Sequence, residues 1–180
     1  MVIVLFADGF EEIEALATVD ILRRGGVEVQ MASIQEDKWV SGAHGIRVEA
    51  DVMAEKVDLQ SVEAVILPGG GTGTENLKQS AWVEKTLRWA QEKGLYLCAI
   101  CAAPSVLGKY GYLKGKKAIC YDGFEEQLTG AEITDRAVVT DGKVITSKGA
   151  GTAHLFAFEI LKHLKGEDVA QQVKDSMKYE

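Results

Sequence analysis

Short apolar runs separated by stretches with helical periodicity constrain this chain more than any other feature. Val2–Ala7, Ala64–Pro68 and Leu95–Ile100 are hydrophobic at nearly every position, and Val27–Ile34 reads as a further strand. A strand apolar on both sides must be covered on both sides, which is the signature of a parallel sheet between helix layers. The intervening segments fit that role. Glu11–Arg24 carries Ala15, Leu16, Val19 and Leu22 on one side and stops at Gly25-Gly26. Glu75–Lys93 reads as helical with a break near Ser80, and Ala102–Tyr110 tolerates Pro104 in its first turn. Thr152–Leu164 places Phe156, Ile160 and Leu164 four apart, and Val169–Met177 repeats that spacing. Lys38–Val48 reads as a polar hairpin turning at Gly42 and Gly45. Lys117–Tyr121 and Ala137–Thr146 are strand-like, the latter turning at Asp141-Gly142. The expected fold class is α/β: a single doubly wound, mostly parallel sheet spanning residues 1–180, too short for two such domains.

Ligands of such sheets bind beyond the carboxyl ends of the strands. The positions of interest are therefore Asp8–Glu14, Gly69–Asn76, Cys101–Pro104, Asp122–Glu126 and Gly149–Thr152. Charge narrows the partners. The net charge is −7 and no basic stripe occurs, so a nucleic-acid partner is not expected. Lys114, Lys116 and Lys117 read as a solvated turn. No apolar run approaches the ~18–20 residues of a membrane span. Met1–Ala7 lacks the charged start of a signal peptide. Three cysteines do not suggest a disulfide framework, and a reducing cytoplasm is the expected location.

Cys101 stands between the strand Leu95–Ile100 and the helix expected from Ala102. A strand–nucleophile–helix junction needs small residues two before and two after the nucleophile, and Ala99 and Ala103 occupy those places. A helix N-terminus there would favour a thiolate, so a lowered thiol pKa is expected. The alternative is a buried, inert cysteine, which suits Cys98 within the strand and Cys120 at a strand end. Cys98-Ala-Ile-Cys101 spells a dithiol motif. In an extended strand its ends span roughly 10 Å and face opposite ways, too far for a disulfide. No second ligand pair supports zinc.

Asp8-Gly9-Phe10-Glu11-Glu12-Ile13-Glu14 carries three glutamates at a helix start. The helix dipole accounts for acids there. Glu14 also lies in the apolar neighbourhood of Ile13 and Leu16. Turned inward beside Cys101, it would have a raised pKa and act as the thiol's acid partner. Pro68-Gly69-Gly70-Gly71-Thr72-Gly73-Thr74 matches neither phosphate-binding glycine motif, but its N–H groups could line an oxyanion hole. Gly149-Ala150-Gly151-Thr152 is either an anion site or a tight turn with Thr152 as helix cap. His44, His154 and His163 all lie away from Cys101 in sequence, which disfavours a cysteine–histidine hydrolase.

Together these segments resemble the ThiJ/PfpI superfamily, most closely its DJ-one branch, that of the Parkinson-disease-associated deglycase and its bacterial relatives. The resemblance runs through Asp8–Glu14, Val19-Asp20-Ile21-Leu22-Arg23-Arg24-Gly25-Gly26, Leu67–Gly70 with Asn76-Leu77, Ala99–Pro104 and Thr146–Thr152. It implies a flavodoxin-like, class I glutamine amidotransferase-like fold and a homodimer. It implies that Cys101 is the elbow nucleophile, easily oxidised to a sulfinate. Glu14 matches the protonated glutamate of the family, and Gly70 and Ala102 match the backbone donors around the thiol. His44 falls where the branch often has an arginine near the dimer contact. Tyr121 falls near a histidine of some members, and Arg24 is placed at the pocket or dimer edge. The peptidase branch has a histidine directly after its cysteine, where this chain has Ala102.

Three functions follow as expectations. The first is a cofactor-free, metal-free cysteine enzyme, a glyoxalase or deglycase acting on reactive α-oxoaldehydes or glycated substrates. The second is a non-enzymatic oxidation sensor or redox-regulated chaperone that uses a Cys101 sulfinate. The third is a cysteine amidase or peptidase.

Overall fold

A computed structural model describes residues 1–179. The central sheet has seven strands in the order Val138–Asp141, Val144–Ser147, Tyr96–Ile100, Ala64–Leu67, Val2–Phe6, Val29–Ser33 and Val52–Met53. In chain order the elements are β1 (Val2–Phe6), α1 (Glu12–Arg24), β2 (Val29–Ser33), β3 (Trp39–Ser41), β4 (Arg47–Glu49), β5 (Val52–Met53) and β6 (Ala64–Leu67). They continue with α2 (Gly71–Gln79), α3 (Ala81–Glu92), β7 (Tyr96–Ile100), α4 (Pro104–Lys109), β8 (Lys117–Ala118) and β9 (Glu132–Ile133). The chain closes with β10 (Val138–Asp141), β11 (Val144–Ser147), α5 (Ala153–Lys165) and α6 (Glu167–Met177). All pairings in the main sheet are parallel except β10 with β11.

The apolar strands do what their composition requires. Val2, Val4 and Phe6 of β1 join one core with α1, α5 and α6. Ile3 and Leu5 join the other with α2, α3 and α4. In β7, Cys98 and Ile100 face the first core while Leu97 and Ala99 face the second. The two-residue period thus divides each strand between two helix layers. The doubly wound expectation is met.

Several boundaries differ from expectation. The helix expected from Glu75 begins four residues earlier, within the glycine-rich segment after β6. Gly70, at φ 94, caps a helix that starts at Gly71. The expected break at Ser80 is real, and its side chain caps α3 by accepting from Val83 N–H. The helix after Cys101 starts at Pro104 and lasts six residues, because residues 101–103 are consumed by the turn. Lys117–Tyr121 contributes only β8, outside the main sheet and paired with β9. Thr152 does not cap α5 with its side chain; its hydroxyl is turned back onto Gly149 and Ser147. Among the described residues no helix is long and apolar enough to cross a membrane.

From β1 the chain moves outward to β2 on one side, then returns to place β6 on the other. The switch point between β1 and β6 opens a crevice at their carboxyl ends. The β1–α1 connection, the Gly69-Gly70 turn and the end of β7 all converge there.

Candidate active site

Cys101 is the residue after β7, and its backbone is at φ 65. That left-handed conformation costs a non-glycine residue on the order of 1–3 kcal/mol. The surroundings enforce it. Cys101 N–H donates to Ser147 C=O at 2.9 Å, and Cys101 C=O accepts from Tyr121 N–H at 2.8 Å. Ala103 N–H closes the turn on Ile100 C=O at 3.0 Å. The reversed φ swings the side chain out of the strand and into the crevice, where it is partly exposed. Cys98 and Cys120 are buried.

Glu14 comes to the sulfur from the first turn of α1 and is only 1% exposed. Its Oε2 accepts from Gly69 N–H at 2.8 Å. Its Oε1 is buried with no hydrogen-bond partner. Gly69 is what lets the two side chains meet. A Cβ there would sit 2.6 Å from Glu14 Oε2 and 2.7 Å from Cys101 Cβ. Burial pushes the Glu14 carboxyl up to about 7, against the thiol and the Gly69 N–H, which pull it down.

The expected lowering of the thiol pKa is not what the site gives. Burial first, then the charge and contact of Glu14, push Cys101 up to about 12, although the N–H groups of Ala102 and Gly70 favour the thiolate. Two physical reasons apply. The following helix is too short and starts too late to present a strong dipole. The carboxylate is the larger local charge. The two groups therefore share protons as a pair. A proton on Glu14 removes the repulsion and lets the carboxyl donate toward the sulfur.

Glu12 is the functional neighbour that sequence reasoning missed. The helix dipole does not exhaust its role: it is 4% exposed and tethers the hairpin β3–β4. Its Oε1 accepts from His44 N–H at 2.7 Å and Ile46 N–H at 3.3 Å, and its Oε2 lies 2.8 Å from His44 Nδ1. Burial acts to raise Glu12, but the His44 side chain and these N–H groups outweigh it and hold the carboxyl below its usual range. The same contact raises His44. Glu11 caps α1 by accepting from Glu14 N–H at 2.8 Å. Glu11, Glu12 and His44 put ligand-type atoms within 4.8 Å of one another. The Glu12 oxygens are already taken by the hairpin, so the cluster reads as an anchor rather than a metal centre.

A cavity of about 500 Å³ joins these parts, lined by Glu11, Glu12, Ile13, Glu14, His44, Ile46, Cys101, Tyr121 and Ala150. The structure thus brings together Cys101, Glu14, Gly70 and Ala102, with His44 and Tyr121 on the rim. It does not bring Arg24. That residue pairs with Asp20 at 2.6 Å at the far end of α1, about ten residues or ~15 Å beyond Glu14. His154 stacks on Tyr179 and His163 pairs with Glu159, so neither serves the thiol.

A strained cysteine at a strand-to-turn elbow, facing a buried glutamate at the switch point of a doubly wound sheet, defines a class of cysteine-centred α/β proteins. The chain belongs to the DJ-1/PfpI family, whose profile matches residues 1–163. It is 35% identical over 173 residues to protein dj-1beta of Drosophila melanogaster, covering 95% of this chain and 92% of that protein. It is 34% identical over 168 residues to glutathione-independent glyoxalase DJR-1.2 of Caenorhabditis elegans, covering 92% of this chain and 89% of that one. Some relatives are longer: the chain spans 40% of protein DJ-1 homolog B of Arabidopsis thaliana, at 37% identity over 174 residues and 96% of this chain. Among solved structures, oxidized Toxoplasma gondii DJ-1 superposes with a TM-score of 0.95 at 32% identity, covering 99% of this chain and 97% of that one.

Proposed function

We propose that this protein is a cofactor-free cysteine enzyme converting α-oxoaldehydes, free or as adducts, to 2-hydroxy acids. One observation carries the reading: Cys101, held at φ 65, lines one cavity with Glu14, a buried carboxyl that burial pushes up to about 7. The chemistry follows from the proton the pair shares. In the tautomer with protonated Glu14, thiolate Cys101 adds to the aldehyde carbon. Glu14 gives its proton to the new oxyanion, and a hemithioacetal forms. The N–H groups of Gly70 and Ala102 are the oxyanion donors. Glu14, now a carboxylate, removes the proton from that carbon and returns it to the neighbouring one, while the hydroxyl proton passes from the first oxygen to the second. The resulting 2-hydroxy thioester is hydrolysed by water, releasing the acid and the free thiol. The net reaction is addition of one water. The name of the nematode relative supports this reading.

The test is methylglyoxal consumption without added thiol, with chiral lactate as the product. Cys101→Ser should abolish lactate formation. Unchanged turnover in that variant would end the account.

A second reading has one specific observation in its favour: Cys101 alone among the cysteines is partly exposed. As an oxidation sensor it would gain two oxygens from dilute peroxide while Cys98 and Cys120 stay reduced. Indiscriminate oxidation, read by intact mass and peptide mapping, would count against it. The hydrolase reading is left without a base, since no histidine contacts the sulfur. A cytoplasmic location and a homodimer remain proposals that go with the family.

A further inference from the structure

The charge around the mouth of the Cys101 cavity is one-sided. Its lining holds three carboxyl groups, Glu11, Glu12 and Glu14, and no lysine or arginine. The one lining group able to carry positive charge is His44, which is committed to Glu12 at 2.8 Å and lies 3.8 Å from Glu11. Protonated His44 therefore cancels Glu12 and leaves Glu11 over. Neutral His44 leaves both carboxylates uncompensated. Lys148 lies in the adjoining depression past Tyr121 and Ala150, but Asp135 holds it at 2.6 Å. The remaining wall is apolar: Ile13 and Ile46 are each 53% exposed, beside Tyr121 and Ala150. Glu14 and Cys101 both belong to this lining.

We propose that this site selects its carbonyl substrates by charge, admitting uncharged α-oxoaldehydes with a small apolar substituent and turning away those that bear a carboxylate or phosphate. The proposal rests on the aldehyde-enzyme reading for its substrates. The charge filter itself is a property of the cavity and can be measured without turnover. An anion approaching Cys101 must pass Glu11 in a partly desolvated mouth, where like charges repel more strongly than in water. A neutral molecule meets only the isoleucine and tyrosine surface.

The test compares alkylation of Cys101 by iodoacetamide and by iodoacetate at neutral pH and low salt. In both reactions the sulfur–carbon bond forms as iodide leaves, through the same thiolate, so the thiol's own pKa cancels in the ratio. Rates are normalised to 2-mercaptoethanol, and Cys101 is followed by peptide mass. The normalised ratio should disfavour iodoacetate by roughly five- to tenfold. Glu11→Gln, which keeps an oxygen to cap α1, should narrow that gap severalfold. His44→Arg, on the exposed hairpin tip, should narrow it as well, and added salt should do so in the unaltered protein. A normalised ratio near one in the unaltered protein, or a gap that neither variant moves, would overturn the proposal. A parallel assay compares methylglyoxal with glyoxylate. Methylglyoxal turnover with an alkylation ratio near one would sink the charge filter and leave the enzyme reading standing. Strong alkylation selectivity with no turnover of either aldehyde would do the reverse.

Discussion

Glu12 and Glu14 sit two positions apart in the first turn of one helix, both sealed from solvent, yet they reach opposite protonation preferences. Burial pushes both upward. What separates them is the supply of donors. Glu12 receives two backbone N–H groups and an imidazole from the hairpin. Glu14 receives only one N–H, from Gly69, and the weak thiol donor of Cys101. A buried carboxyl with enough donors is a structural anchor. A buried carboxyl one donor short is a proton carrier.

The largest break in that comparison is Glu14→Gln. It keeps the shape but cannot carry the proton, so kcat for methylglyoxal should fall ~10²–10⁴-fold. Circular dichroism should stay native. In the unaltered protein, the proposed activity should depend on pH with an apparent pKa near 7, and this inflection should vanish from the residual activity of the variant. A native pH profile in Glu14→Gln would remove Glu14 from the chemistry.

Gly69→Ala should come next. Its Cβ would intrude on both the carboxyl and the cysteine. Forcing them apart should cost at least tenfold in kcat and about 1–3 kcal/mol of stability in denaturant titration.

The pH dependence of stability should separate the two glutamates by sign. Glu14 has a raised folded pKa, so its contribution is complete below its ordinary value near 4.5 and is lost as pH rises through about 7. Glu12 has a lowered one, so its contribution is present above 4.5 and is lost as pH falls through its folded value. Urea titrations should give Glu14→Gln a flatter curve between pH 4.5 and 7, and Glu12→Gln a flatter acid limb. Matching curves would mean that the donor count does not decide the difference.

The smallest effect belongs to His44→Ala. Its imidazole is largely exposed, so solvent screens its ion pair with Glu12 and the loss of thermal stability should be slight, while the His44 N–H continues to serve Glu12. A larger loss of thermal stability would show that the imidazole, rather than the backbone, holds the hairpin.

The layered fold was legible because its signals are local: apolar strands, four-residue spacings and glycine stops. Cys101 was legible for the same reason, through the small residues that flank an elbow. Glu14 could be suspected from its apolar neighbours, but its meeting with Cys101 depends on β1 and β7 flanking β6. Glu12 was not legible, since its partners lie more than thirty residues away on the hairpin. The thiol's upward shift is not legible because it comes first from burial and then from the nearby carboxylate, both tertiary effects, while the helix expected at Ala102 starts later. Arg24, expected at the pocket or dimer edge, is carried away from the pocket by the rise of the helix. Strands as short as β5 and β9 show no period at all.

The left-handed backbone at Cys101 sets stability and chemistry against each other at one position. Glycine would occupy that conformation without strain, so Cys101→Gly should fold at least as well as the native chain while losing its thiol. A search for thermostable variants that scored melting temperature alone would drift toward the inert protein at this site. Any engineering campaign on this scaffold therefore needs a thiol-reactivity screen beside its stability screen.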